Sequence, residues 1–158
     1  MPKPHRLSTC LWFDRNGEEA ATLYTSLFEN SRIGSVSRYG KGAPLPEGTA
    51  LMVEFTLDGV PYQALNGGPV YKLSEAVSLS VSCDTQAEID RLWSALTANG
   101  GRESRCGWLV DRFGLSWQIV PSMMASWMSD PARAGRVMAA FMPMAKLDIA
   151  TLEAAARG

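Results

Sequence analysis

The sequence is short of the residues that most metalloenzymes and secreted domains rely on. It has a single histidine, His5, and three cysteines, Cys10, Cys83 and Cys106, at wide and irregular spacing. An odd, scattered set of thiols does not read as a disulfide framework and suits a reducing compartment. No apolar run reaches the ~20 residues needed to span a bilayer, and the polar start from Met1 to Arg6 lacks the apolar core of a secretory signal. There is no basic block either: 15 Lys and Arg stand against 16 Asp and Glu, a net charge of −1. The electrostatic footprint of a nucleic-acid binder is therefore missing. These absences together predict a cytoplasmic protein that engages neither membrane nor nucleic acid.

What the chain does have is core. Of its 158 residues, 46% are hydrophobic, enough for one compact domain or for two small modules. Ser8 to Asp14 alternates as a strand, and Asn16 precedes an apolar stripe at helical spacing (Ala20, Leu23, Tyr24, Leu27, Phe28), which predicts a capped helix. Arg32 to Tyr39 reads as a further strand. Ala50 to Leu57 and Val60 to Leu65 are strands joined by Asp58-Gly59, a two-residue hairpin turn whose positions both need positive φ. Val77 to Cys83 alternates again, and Thr85 to Glu88 spells a capping box ahead of the stripe Ile89, Leu92, Trp93 and Leu96. Strands near Arg102 to Cys106, Trp108 to Asp111 and Leu115 to Pro121 follow. Beyond them Asp130-Pro131 and Asp148 start helices in a Met- and Ala-rich tail.

The order strand–helix–strand–strand–strand thus occurs twice. Gly59 to Leu65 (GVPYQAL) aligns without a gap on Gly114 to Val120 (GLSWQIV), the mark of an internal duplication. The fold class predicted is α+β: two βαβββ modules, residues 7–69 and 75–121, with a helical extension over 122–157. Alternation places Thr9, Leu11, Phe13, Leu51, Val53, Phe55, Leu57, Tyr62 and Ala64 under the first helix, and Val77, Leu79, Val81, Trp117 and Ile119 under the second. The opposite, concave face carries Ser8, Cys10, Trp12, Met52, Glu54, Thr56, Gln63 and Leu65 in the first module. In the second it carries Ser78, Ser80, Ser82, Ser116, Gln118 and Val120. Such a hydroxyl-rich face suits a ligand cavity between the sheets with a few placed polar groups.

Three segments, CLWFDRNGEEAATLYTSLF, TLDGVPYQALNGGP and CGWLVDRFGLSWQIVP, resemble the PhnB-like branch of the vicinal oxygen chelate (glyoxalase/bleomycin-resistance/extradiol dioxygenase) superfamily. That branch is often labelled by a 3-demethylubiquinone 3-methyltransferase domain name. The resemblance runs from Leu7 to the C-terminus and implies paired βαβββ modules. It also implies a homodimer, since proteins of this family are commonly dimers. In metal-using members of the superfamily the ligands come from the first and last strands of each module, and those positions correspond here to Ser8, Gln63, Ser78 and Gln118. None is a His, Asp or Glu, and neutral hydroxyls and amides are poor ligands for a divalent transition metal. No metal and no organic cofactor is expected. The methyltransferase label finds no support in a glycine-rich turn of the kind a nucleotide-like cofactor needs in a doubly wound sheet.

The candidate site residues follow from the strand faces. Counting back from the Asp58-Gly59 turn pairs Glu54 with Gln63, which sets a carboxylate in mid-strand on the concave face. A partly buried carboxylate there would serve as general base or bind a cation. The same count in the second module pairs Leu109 with Gln118. Gln63 and Gln118 can hydrogen-bond a ligand or each other, Trp12 and Trp108 can stack on a planar ligand, and Asn66 sits at a loop suited to cavity contacts. Cys106 beside Arg105 is read as an inert thiol rather than a nucleophile, and Asp111-Arg112 as a solvated turn. His5 is read as a surface residue. The leading expectation is a metal-independent binder of a small molecule. The alternatives are an enzyme on the same cavity with Glu54 as base, and a protein that assembles with partners through its Met-rich tail.

Overall fold

The computed structural model describes residues 5–158. They fall into two compact units, the first ending at Leu73 and the second running Ser74–Gly158. The first comprises β1 (Thr9–Phe13), α1 (Gly17–Leu27), β2 (Arg32–Arg38), β3 (Ala50–Leu57) and β4 (Val60–Asn66). The second repeats the order with β5 (Ser78–Cys83), α2 (Gln86–Thr97), β6 (Arg102–Glu103), β7 (Trp108–Val110) and β8 (Ser116–Pro121). Each unit forms one four-stranded mixed sheet, ordered β1-β4-β3-β2 and β5-β8-β7-β6. The two orders are one permutation, so the duplication read from the GVPYQAL and GLSWQIV segments is a duplication of topology.

In the first unit the helix lies over most of the face that alternation assigned to it, but Thr9, and in the second unit Val77, are exposed at the strand starts. Leu11, Phe13, Val53, Phe55, Leu57 and Ala64 are buried together with Ala20, Ala21 and Tyr24 of α1, and the Phe55 and Tyr62 rings stack at 5.4 Å. The β3–β4 hairpin has the predicted register, with Glu54 opposite Gln63 and Leu57 opposite Val60. Its turn residues Asp58 and Gly59 have φ of 47° and 75°, as a right-twisted two-residue hairpin requires.

The cap of α1 is different from the one predicted. Asn16 makes no side-chain cap. The Gly17 N–H donates instead to Asn66 Oδ1 at 2.7 Å, so an amide 49 residues away closes the helix N-terminus. In the second unit the local signal holds: the Glu88 N–H donates to Thr85 Oγ1 and the Glu88 carboxylate accepts from the Thr85 N–H, a complete capping box.

The second hairpin departs from the count made on the sequence. Trp108, not Leu109, lies opposite Gln118, and Leu109 lies opposite Trp117. Asp111 closes on Leu115 around a three-residue loop, with the Gly114 N–H donating to the Asp111 carbonyl and the Asp111 N–H to the Leu115 carbonyl. Gly114 takes φ 92°, the left-handed position that ends such a loop. One residue more than a two-residue turn shifts the register by one, which moves Trp108 onto the face of Gln118.

The tail adds α3 (Met124–Trp127), α4 (Pro131–Phe141) and α5 (Ile149–Arg157). Asp130 and Asp148 cap α4 and α5, as predicted, by accepting from the Arg133 and Thr151 N–H groups. The helices enclose a small core of Trp127, Val137, Leu147 and Leu152. They dock on the second module through Gln86, which donates to the Leu147 carbonyl and accepts from the Ile149 N–H, and through a Lys146–Asp90 ion pair of 2.7 Å. The Cys106 and Gly107 N–H groups donate to Met144 and Ala145. The methionines divide between two settings: Met124, Met128 and Met144 pack on this core, whereas Met123, Met138 and Met142 are exposed.

Candidate functional site in the first module

The concave face of the first sheet holds an open hollow of about 460 Å³, lined among others by His5, Ser8, Arg32, Glu54, Thr56 and Gln63. Three of these, Ser8, Glu54 and Gln63, are candidates the strand faces nominated. Their neighbourhood follows from register. Gln63 has Glu54 on one side and Cys10 on the other, and Arg32 stands opposite Thr56 on the edge strand β2. Gln63 is half-buried, and its amide makes no hydrogen bond among the described residues. Glu54 is exposed rather than partly buried. One of its oxygens, Oε2, accepts from Ser35 Oγ at 2.6 Å, which anchors the carboxylate. Ser35 reaches it because the β2–β3 register slips between Ile33 and Val36. A bulge of this kind re-aims side chains on an edge strand.

Arg32 and Ser35 were not singled out from the sequence, and Thr56 was placed on the concave face without being made a candidate. Arg32 could have been found by continuing the face count across β2, where it pairs with Thr56, and Ser35 could not, because the bulge that turns it is invisible in the pattern. His5, read as a surface residue, is exposed and lies at the rim of the hollow.

The remaining candidates lie elsewhere. Asn66, expected at a cavity mouth, is 1% exposed. Its amide bridges the Gly17 N–H and the Ala50 carbonyl, and its own carbonyl accepts from the Tyr39 hydroxyl. It is an interior bracket, because its side-chain amide satisfies two backbone groups and its backbone carbonyl takes the Tyr39 hydroxyl. Trp12, expected to stack on a ligand, is half-buried against its own chain. Its indole N–H donates to the Gly68 carbonyl at 2.9 Å, and the Tyr71 ring meets it edge-on at 5.0 Å. A side chain at Gly67 would overlap the Trp12 ring. In the second module Gln118 donates to Ser78 Oγ at 2.9 Å, so these two candidates satisfy each other, and Trp108 is half-buried beside Gln118.

Asp111 is a further correction. Read as part of a solvated turn, it is 3% exposed. It accepts from the Phe113 and Leu115 N–H groups and from the buried Trp117 indole N–H at 2.9 Å. Such a carboxylate orders a hairpin and the core beneath it.

Thiols and acids around these elements respond to their settings. Partial burial pushes the Cys10 thiol up, and deeper burial pushes Cys83 to about 11. Both are therefore poor nucleophiles at neutral pH. The Arg38 guanidinium, hydrogen-bonded to Glu18 at 2.8 and 3.0 Å, lowers that carboxyl. Burial raises the Tyr62 phenol. Among the described residues no three His, Cys, Asp or Glu side chains stand close enough together to hold a metal ion, and no helix is long and apolar enough to cross a membrane.

Two βαβββ units of one topology are the architecture of the vicinal oxygen chelate superfamily, to which this chain belongs. The family profile described as 3-demethylubiquinone-9 3-methyltransferase matches residues 5–120. The PhnB protein of Bacillus cereus, described by that family name, is 34% identical, with a TM-score of 0.69 over 74% of this chain and 99% of its own. The chain is a member of this PhnB-like family. Protein PA1353 from Pseudomonas aeruginosa, 22% identical, has a TM-score of 0.61 over 74% of this chain and 97% of its own. The fold alone is shared with a variant of the fosfomycin resistance protein FosX from Listeria monocytogenes, solved with Mn(II) and 1S,2S-dihydroxypropylphosphonic acid. That protein is 14% identical, with a TM-score of 0.52 over 74% of this chain and 91% of its own. No curated protein matches the chain at a significant level. The tail beyond residue 120 lies outside the family profile.

Proposed function

We propose that the chain is a metal-independent binder of a small polar molecule, held on the concave face of its first module. The observation that carries this reading is Gln63. Its half-buried amide has no partner among the described residues, and it stands beside an anchored carboxylate in a hollow of about 460 Å³. Convergent polar groups of this kind, in a concavity of this size, are the usual signature of a small-molecule site.

The metal chemistry of the superfamily does not fit the donors present. The corresponding positions hold Ser8, Gln63, Ser78 and Gln118, all neutral, and Gln118 already donates to Ser78. The methyl donor that the family name implies does not fit either. A nucleotide-like cofactor on an α/β scaffold would look for a free helix N-terminus. Here Asn66 closes that of α1 and the Thr85–Glu88 box closes that of α2.

A second reading makes the protein an enzyme with Glu54 as general base, supported by the Ser35 bond that orients the carboxylate. A thermal-shift screen with divalent metals and a metabolite panel tests the first reading, because binding to the native state raises the melting temperature by mass action. A metabolite hit that Gln63→Ala removes supports it. Stoichiometric zinc, nickel or manganese in the purified protein would overturn metal independence. Glu54→Gln that keeps ligand affinity but abolishes turnover would favour the enzyme.

A further inference from the structure

Among its described residues the hollow of the first module carries one fixed charge of each sign, and the two do not meet. Arg32 stands opposite Thr56, and Glu54 lies two residues before Thr56 on β3, so both side chains belong to the same face. Diagonal positions of this kind on neighbouring strands are roughly 7–8 Å apart, within reach of a long side chain. Arg32 nevertheless forms no ion pair or hydrogen bond among the described residues. Glu54 turns to Ser35 instead.

The residue between them on β2 is Gly34, which also lines the hollow. Its backbone is not in the left-handed region that calls for glycine. A Cβ there would sit 3.3 Å from the Glu54 carbonyl oxygen and 3.7 Å from the Glu54 Cβ, in the space beside the carboxylate. Leaving out that side chain leaves room beside Glu54 on the strand that carries Arg32. Gln63, across β3 from this space, offers both a donor and an acceptor and is complementary to either end of a dipolar molecule.

Resting on the small-molecule reading of this site, we infer that the ligand is a small zwitterion of the amino-acid class. Its carboxylate meets Arg32, where a guanidinium can take both oxygens. Its ammonium group meets Glu54 Oε1, with Oε2 held by Ser35. Gln63 bonds the middle of the molecule. A ligand with a single charge would leave Arg32 or Glu54 unpaired beneath it, so singly charged analogues bind less well.

The test is calorimetric titration of the whole chain with free α-, β- and γ-amino acids, beside carboxylates and alkylamines of matched length. At least one zwitterion is expected to bind at least 10-fold tighter than either singly charged analogue. Arg32→Gln and Glu54→Gln, both at exposed positions that leave the fold intact, should each weaken it at least 10-fold. Arg32→Gln should lower affinity for the carboxylate series and spare the amine series, and Glu54→Gln the reverse. The inference is overturned if singly charged analogues bind as tightly as zwitterions, or if neither variant changes zwitterion affinity. It is also overturned if the metabolite screen returns an uncharged ligand that Gln63→Ala removes, an outcome that leaves the binding site itself standing. No binding of any kind, with Gln63→Ala indistinguishable from the parent throughout, would instead sink the site.

Discussion

The two modules are built to one topology, but their matching glutamines end in different states. In the first, Gln63 has no partner among the described residues and stands at a hollow with Glu54 and Arg32 around it. In the second, Gln118 is bonded to Ser78, and no acidic residue stands opposite it. The strands behind them differ as well. β2 and β3 have seven and eight residues, whereas β6 and β7 have two and three, so the first module offers the broader face. The second module carries the helical tail, docked at Gln86, Asp90, Cys106 and Gly107. Duplication supplied two equal scaffolds. One kept its polar face open, and the other closed it and gained a structural attachment.

The sharpest way to test that division is to cut the bracket that holds each module. Asp111→Ala strands the buried Trp117 indole N–H and two backbone N–H groups. It should cost about 4 kcal/mol in urea denaturation, because hydrogen bonds to a charged group are strong and the orphaned donors stay buried. Asn66→Ala strands the Gly17 N–H and the Ala50 carbonyl and should cost about 3 kcal/mol on the same grounds. If the modules are cooperative units of their own, hydrogen exchange will localise each loss: Asp111→Ala to β7 and β8, Asn66→Ala to α1 and β4. Exchange that rises uniformly in both variants would show that the halves are not separable.

These two residues also mark the limit of what could be read from the chain. The elements themselves were legible, because alternation, the Asp58-Gly59 turn and the Thr85–Glu88 box are local signals with local causes. So was the pairing of Glu54 with Gln63, since a two-residue turn admits one register. Asn66 was not, because a helix cap supplied from 49 residues away leaves no trace in the helix's own sequence, where Asn16 was the plausible choice. Asp111 was misread with its hairpin: a turn carboxylate looks solvated until the loop closes over it and a tryptophan donates to it. The hollow was half legible. Its floor followed from period 2, but the side chains of β2 depend on a bulge, and nothing in the order of residues announces one.

A smaller effect is expected at Gly67, which lets the chain cross the Trp12 ring. Gly67→Ala overpacks this contact and should cost about 2 kcal/mol. Gly40→Ala in the same module, where an added Cβ meets nothing within 4 Å, should stay within about 0.5 kcal/mol. Equal costs at both glycines would mean that Trp12 is free to move aside, and would return it to the list of ligand-stacking candidates.

The glutamines themselves come next, and they test the comparison most directly. Gln118→Ala should lower stability by about 1 kcal/mol, the net worth of one hydrogen bond, and leave ligand affinity unchanged. Gln63→Ala should do the opposite: stability within about 0.5 kcal/mol of the parent and affinity down at least 10-fold. Finding the affinity loss at Gln118 would move the site to the second module.

The smallest effect concerns a polar atom the second module leaves idle. Ser116 is fully buried on β8, on the same face as Ser78 and Gln118, and its hydroxyl has no hydrogen-bond partner among the described residues. An unpaired buried hydroxyl destabilises the folded state, because its bonds to water are lost and not replaced. Ser116→Ala removes the oxygen and leaves almost no cavity, so the variant should be as stable as the parent or more stable by up to about 1 kcal/mol. That sign is unusual for a core substitution, which makes a denaturation midpoint decisive. A loss of 1 kcal/mol or more would mean that Ser116 is bonded in solution to a buried water or to Gln118. The second face would then be a working polar network, and the division between an open module and a closed one would have to be redrawn.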